Sequence, residues 1–300
     1  MRTVRSEKII KSKWDIIFEC VVGFILILIG LMILIPILHV IFASISDPSF
    51  VRNYKSIIFY PRSITLRGYG LVFQNTVIVR SIFNTLLYVC LGVSLNMVVT
   101  VVAAYVLSFR EPILNKLFMK LITITMFFSG GLIPLFHLLD NMNLLNTAFA
   151  VLLPAAMNAW NMIILRTAFR GIPDSLMDAA KLDGASYVKM LIHIVIPVSL
   201  PTIAIIFMYY VSGHWNEWFS YMAFISDRNK YPLQLILREI LVINDTTNVM
   251  PGDPDLITGQ ETKVLVQYCA AIISVIPMLV FFPFVQKYFM TGVLVGSLKG

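Results

Sequence analysis

The stretch Ala168-Phe-Arg-Gly-Ile-Pro-Asp-Ser-Leu-Met-Asp-Ala-Ala-Lys-Leu-Asp-Gly-Ala-Ser-Tyr-Val-Lys-Met-Leu-Ile-His-Ile-Val-Ile-Pro197 is polar and glycine-broken in an otherwise apolar chain. Pro173 suits the first turn of a helix, and Asp174 is favourable near its positive end. Leu176, Ala179 and Ala180 share one face, while Asp178 and Lys181 lie three apart on another. Gly184 is suited to a left-handed stop. A second helix from about Ser186 is predicted to end near Ile196, because Pro197 disfavours helical geometry in its predecessor. The spacing therefore predicts a helix, a glycine corner and a second helix. Small residues at 179, 180 and 184 let another backbone come close, and Asp178 offers a carboxylate to a partner. An amphipathic connector lying on a membrane surface has the same spacing.

Outward from this stretch the chain is strongly apolar. Of 300 residues 58% are hydrophobic and only 13% charged, against roughly 25% charged in ordinary soluble domains. So few charges cannot cover a water-soluble surface. The 12% aromatic content is the opposite of a disordered composition. A span needs about 20 mostly apolar residues, and six stretches qualify: Cys20–Ala43, Ser81–Ser108, Lys120–Leu139, Thr147–Leu165, Pro201–Ile225 and Val264–Phe289. The expectation is an all-α membrane protein with six transmembrane helices. Residues 1–19 form a cytoplasmic N-terminal segment, 20–289 the membrane domain with its cytoplasmic loop at 168–200, and 290–300 a cytoplasmic tail. The basic start resembles a signal peptide, but the apolar run is too long and lacks a small-residue cleavage site, so an uncleaved first span is expected.

Orientation follows the bias of Lys and Arg. With both termini inside, 14 of the 23 basic residues fall on inner segments and 9 on outer ones. Two outer segments, about Ser44 to Arg80 and Ser226 to Lys263, are too long for simple turns and form either docking surfaces or solvated caps. The net charge of +7 is dispersed between apolar runs, which suits anionic membrane lipid and not nucleic acid. Cys20, Cys90 and Cys269 read as small buried hydrophobes.

The loop carries a resemblance. Asp178-Ala179-Ala180, three residues, Gly184, nine residues, then Ile194-Val195-Ile196-Pro197 resembles the EAA loop of ABC-importer permeases: Glu-Ala-Ala, three residues, Gly, nine residues, Ile, one residue, Leu-Pro. Asp178 replaces Glu with one methylene less reach, and Ile196 replaces Leu. Phe128-Ser-Gly-Gly-Leu-Ile-Pro134, with Leu144-Leu-Asn-Thr147, is similar to the third-span region of carbohydrate permeases. Tyr288 to Gly300 resembles the MalG-type tail, and Lys230-Tyr-Pro-Leu-Gln-Leu235 the LplC/YtcP-like branch. The resemblance implies a type I ABC importer permease fold with cytoplasmic coupling helices. Asp178, Ala179, Ala180, Asp183, Gly184, Ile194, Ile196 and Pro197 would couple to the ATPase. Gly292, Gly296, Lys299 and Gly300 would reach the interface between two ATPase subunits. It further implies a second homologous permease chain, an extracytoplasmic solute-binding protein, an oligosaccharide substrate and a bacterial cell membrane. No cofactor is expected on this chain, ATP and Mg being held by the partner ATPases.

The fifth span carries His214-Trp-Asn-Glu-Trp218. At 1.5 Å per residue from Pro201, His214 lies about 20 Å and Glu217 about 24 Å along the helix. Glu217 is the one acidic residue well inside a predicted span, where such residues rarely face lipid. Trp215 and Trp218 offer aromatic faces to a sugar, and Asn216 and Glu217 offer polar groups to its hydroxyls. The same residues also suit an interfacial aromatic belt and an interhelical pair. Asn84, Asn96, Asn158 and Asn161 suit interhelical bonding better than substrate. Gly130, Gly131 and Pro134 loosen the third span, as a gate or cavity wall or for close helix packing. The chain contains no GxxxxGK[ST] loop, HExxH motif or Ser-His-Asp set, so it is not expected to be an enzyme. Two alternatives remain: an ABC permease for a non-sugar solute, and a stand-alone secondary transporter using a proton at Glu217 or His214.

Overall fold

The computed structural model describes residues 12–54, 56–109, 114–243 and 260–297. Every regular element among them is helical. The chain divides into two compact units, one of residues 1–71 and 252–272, the other of residues 72–251 and 273–300.

In the first unit, α1 (Lys13–Ser44) is 32 residues long, and none of its most apolar window is buried within the chain. Asp47 caps α2 (Pro48–Asn53), accepting the Ser49 and Phe50 amides, as a carboxylate at a helix N-terminus does. Ala43, Val51 and Ile58 form a small apolar cluster. His39 accepts the Ile58 amide at 3.0 Å through Nδ1, leaving Nε2 to face the Tyr268 hydroxyl at 3.3 Å. The helix α3 (Arg67–Gln74) leads into the second unit.

There, α4 (Thr76–Ser108) is capped by Asn75 and runs 33 residues. The chain continues through α5 (Leu114–Phe127), α6 (Leu132–Asn141), α7 (Phe149–Leu152) and α8 (Ala159–Arg170). Next come α9 (Asp174–Leu182), α10 (Tyr187–Val198), α11 (Leu200–Asn216), α12 (Phe219–Phe224) and α13 (Leu233–Arg238). The last helix, α14 (Gln260–Ser297), belongs to the first unit up to residue 272 and to the second beyond it, and contains Pro277 and Pro283. Ala104, Met162, Leu165 and Ile206 make a core between α4, α8 and α11. Lipid tails are as apolar as these side chains, so packing and interhelical hydrogen bonds hold such a core together. The Thr100 and Tyr210 hydroxyls meet at 2.7 Å between α4 and α11. The Arg166 guanidinium donates to the Leu107 carbonyl at 2.7 Å between α8 and α4.

Among the described residues, three helices are long and apolar enough to cross a membrane, or five if each of two bent pairs counts as one span. Three of the six predicted spans are interrupted helices. The third predicted span is broken between α5 and α6, which bend by 113°. The break falls at Gly130-Gly131, and Gly131 has φ +86°, a conformation favourable only to glycine. The fourth is interrupted around Pro154, with α8 restarting at the Asn158 cap. The fifth stops at Asn216, because Glu217 is extended.

The predicted stop at Ile196 is also corrected. The Ile196 amide donates to the Leu191 carbonyl, closing a π turn over Leu191–Val195, and the helix runs past Pro197 to Val198. The wider turn absorbs the hydrogen bond that proline cannot make. Cys269 is buried as expected, whereas Cys20 and Cys90 are exposed on the surface of the chain.

Candidate functional site

The corner between α9 and α10 is built by backbone chemistry. Gly184 has φ +74°. Its amide donates to the Lys181 carbonyl at 3.0 Å, and the Ala185 amide donates to the Ala180 carbonyl at 2.9 Å. These are the two bonds of a Schellman stop. Ser186 then caps α10 by accepting the Lys189 amide. Of the predicted face Leu176, Ala179 and Ala180, only Ala180 is buried. Asp178 is exposed and meets Lys181 at 3.2 Å, a surface pair that contributes little to stability. Asp183 is exposed at the end of α9, while Ile194 and Ile196 are half-buried and Pro197 is exposed.

Sequence reasoning missed three residues here. Leu182 is 90% exposed, and Tyr187 and Val188 are exposed beside it. They leave an apolar patch at the tip of the corner. The Tyr105 hydroxyl donates to the Tyr187 carbonyl at 3.0 Å, and Phe109 packs edge-on against the Tyr187 ring. The corner is thereby tied to the end of α4. Behind α9, Tyr105, Phe169, Arg170, Asp174 and Met177 border a cavity of about 270 Å³.

A second cavity, of about 400 Å³, lies among α4, α8, α11 and α12. His214 and Glu217 line it, with Asn96, Asn158, Asn161 and Tyr210. The Asn96 amide donates to the Ala155 carbonyl at 2.5 Å, which turns its oxygen toward His214 Nε2 at 2.6 Å. Glu217 Oε1 accepts the Ser220 amide at 2.8 Å. The other predicted path residues are not brought to this cavity. Trp215 is buried, and its indole N–H donates to the Ser274 carbonyl at 3.0 Å. Asn216 bonds back to Ser212 of its own helix. Trp218 lies under the Arg238 guanidinium, 4.6 Å from ring centroid to cation.

No family model matches the chain. Among curated proteins, the polygalacturonan/rhamnogalacturonan transport system permease protein YtcP of Bacillus subtilis (strain 168) is 32% identical over 289 residues, 95% of this chain and 99% of that one. Protein LplC of the same organism is 31% identical over 272 residues, 91% of each chain. In the crystal structure of a bacterial ABC transporter involved in the import of the acidic polysaccharide alginate, one chain superimposes with a TM-score of 0.84 at 30% identity, covering 93% of this chain and 99% of that chain. The chain belongs to the permease subunits of sugar ABC importers.

In this permease, Gly130 and Gly131 lie at the α5–α6 break and Pro134 in the first turns of α6, and none of the three lines the cavity. Gly292 and Gly296 continue α14, while Lys299 and Gly300 lie outside the described residues. The segment after α12, expected on the outer side, is folded up to residue 243. Asn84 donates to the Asn229 and Tyr231 carbonyls, Thr85 accepts the Leu233 amide and Tyr88 donates to the Lys230 carbonyl. One face of α4 thus holds residues 229–233 in place.

Proposed function

We propose that this permease is one membrane-spanning half of an ATP-driven importer for oligosaccharides or polysaccharide fragments in a bacterial cytoplasmic membrane. It spans the membrane six times with both termini inside. It pairs with a second homologous permease chain, and two ATPase subunits carry ATP and Mg at the inner face. An extracytoplasmic binding protein delivers the sugar. Hydrolysis belongs to the ATPases, consistent with the lack of a phosphate-cradling loop in this sequence.

The observation that carries this reading is the exposed corner, with its apolar patch of Leu182, Tyr187 and Val188 and its bond from Tyr187 to α4. An exposed apolar patch on a rigid, capped element suits docking into another subunit. A displacement of the corner is passed to α4 through Tyr105 and to α11 through α10. Two ligands, ATP and sugar, then bias one two-state element. The name of one relative, YtcP, for polygalacturonan/rhamnogalacturonan transport supports the substrate class.

The test is co-purification from the native host of the tagged chain, followed by mass spectrometry and assay of sugar-stimulated ATP hydrolysis. A Cβ at Gly184 would meet nothing within 4 Å, so substitution there acts through the backbone. Gly184→Val forces a β-branched residue into the left-handed region. It is expected to insert normally but to lower ATPase recovery and stimulated hydrolysis about tenfold, as a strain near 1–2 kcal/mol would. Gly184→Asn, which tolerates that region, keeps most of both. Wild-type coupling in Gly184→Val would refute the lever role. Recovery of the chain alone, transporting under a proton gradient, would replace the importer reading.

A further inference from the structure

We infer that the cavity between α4, α8 and α11 is a saccharide subsite belonging to this half of the importer, in which Asn161 and Glu217 hold the hydroxyls of one uncharged sugar ring. The inference rests on the importer reading above and names what that reading leaves open.

Asn161 is the deciding residue. It is 6% exposed and lines the cavity. Its backbone amide donates to the Asn158 side-chain oxygen at 3.1 Å, but its own carboxamide has no hydrogen-bond partner among the described residues. The carboxamide is open to the cavity, so a ligand seated there can take up both its donor and its acceptor at once. The other span asparagines differ. Asn84 and Asn96 are bonded to carbonyls of neighbouring segments, and the Asn158 oxygen is committed as a helix cap.

Glu217 supplies the complement. One of its oxygens holds the Ser220 amide, and the other remains an acceptor at the cavity wall. An amide that donates and accepts beside a carboxylate that accepts fits adjacent ring hydroxyls. The ring walls of Tyr209 and Tyr210 provide apolar surface. The volume of about 400 Å³ lies within the usual range of roughly 300–1,000 Å³ for small-molecule sites.

Charge decides the ring. No Lys or Arg is among the lining residues described. A uronate carboxylate seated here would face Glu217 in a low-dielectric surrounding with no cation to offset it. The ring held at this position is therefore neutral, whatever the charge of the rest of the oligosaccharide.

The experiment uses the importer assembled with its partner permease and ATPases in nanodiscs. Calorimetric titration compares galactotriose with trigalacturonate, which differ ring for ring by a hydroxymethyl against a carboxylate. Galactotriose is expected to bind at least about tenfold tighter, and Asn161→Leu to weaken it by roughly tenfold, the size of one neutral hydrogen bond. Asn161→Leu carries a risk of misfolding, so Glu217→Gln forms the second arm. Its amide keeps an oxygen for Ser220 and removes only the charge, and it should raise trigalacturonate affinity several-fold. Equal binding of both sugars, or affinities unmoved by either variant, would overturn the subsite while leaving the importer intact. Failure of ATPases to assemble, or of any sugar to stimulate them, would remove the importer reading and the subsite with it.

Discussion

At Gly92 a methyl group would lie 2.6 Å from two atoms of the His214 ring. The ring cannot swing aside without losing the Asn96 bond that orients it. Gly92→Ala is therefore expected to lower stability by about 1–3 kcal/mol, the usual cost of overpacking. A fall in the thermal midpoint in detergent would register it, and Gly92→Ala combined with His214→Ala should recover part of the loss. A midpoint unchanged in the single variant would mean that α4 and α11 are not in this contact. Gly92 and Gly184 mark the limits of reading a sequence. Gly184 was legible because its left-handed stop depends on neighbours within five residues. Gly92 was not, because its reason is a side chain more than a hundred residues away. Asn161 was passed over for the same cause, since nothing local tells a spent carboxamide from an idle one.

At the scale of elements, α4 and α11 are joined by the Thr100–Tyr210 contact, and the Tyr210 hydroxyl also accepts the Asn158 amide at 3.1 Å. A double-mutant cycle of Thr100→Val and Tyr210→Phe should give a coupling of about 0.6 kcal/mol, as interhelical hydrogen bonds in membranes do. A coupling near zero would assign the pair to packing alone. Hydropathy located the apolar segments but averaged across their interruptions. A window over 120–139 or 147–165 registers composition and is blind to the turns at Gly131 and Pro154. Treating 201–225 as one span also placed Trp215 and Trp218 together, as candidate sugar faces or an interfacial belt. Once α11 ends at Asn216, the first indole turns inward to Ser274 and the second goes to Arg238.

For the whole molecule, the placement of 14 of 23 basic residues on one side predicts an orientation that labelling can check. In a chain without its native cysteines, Arg62→Cys should react with a membrane-impermeant maleimide on intact cells. Asp183→Cys should react only after permeabilisation, and the reverse pattern would invert the topology. The expected pattern would put the corner inside. From it, α10 runs to meet α11 at 86° across Ser199. At 1.5 Å per residue these helices are arms of about 18 and 26 Å. Two straight arms fixed at a right angle form a bell crank. A sideways push on the foot at Tyr187 emerges turned through a quarter circle at Asn216, with its travel multiplied about 1.4-fold by the ratio of those arms. Beside that far end stand His214 and Glu217, so in the proposed importer the longer stroke would be delivered to the cavity and the shorter, stronger one would stay at the ATPase side.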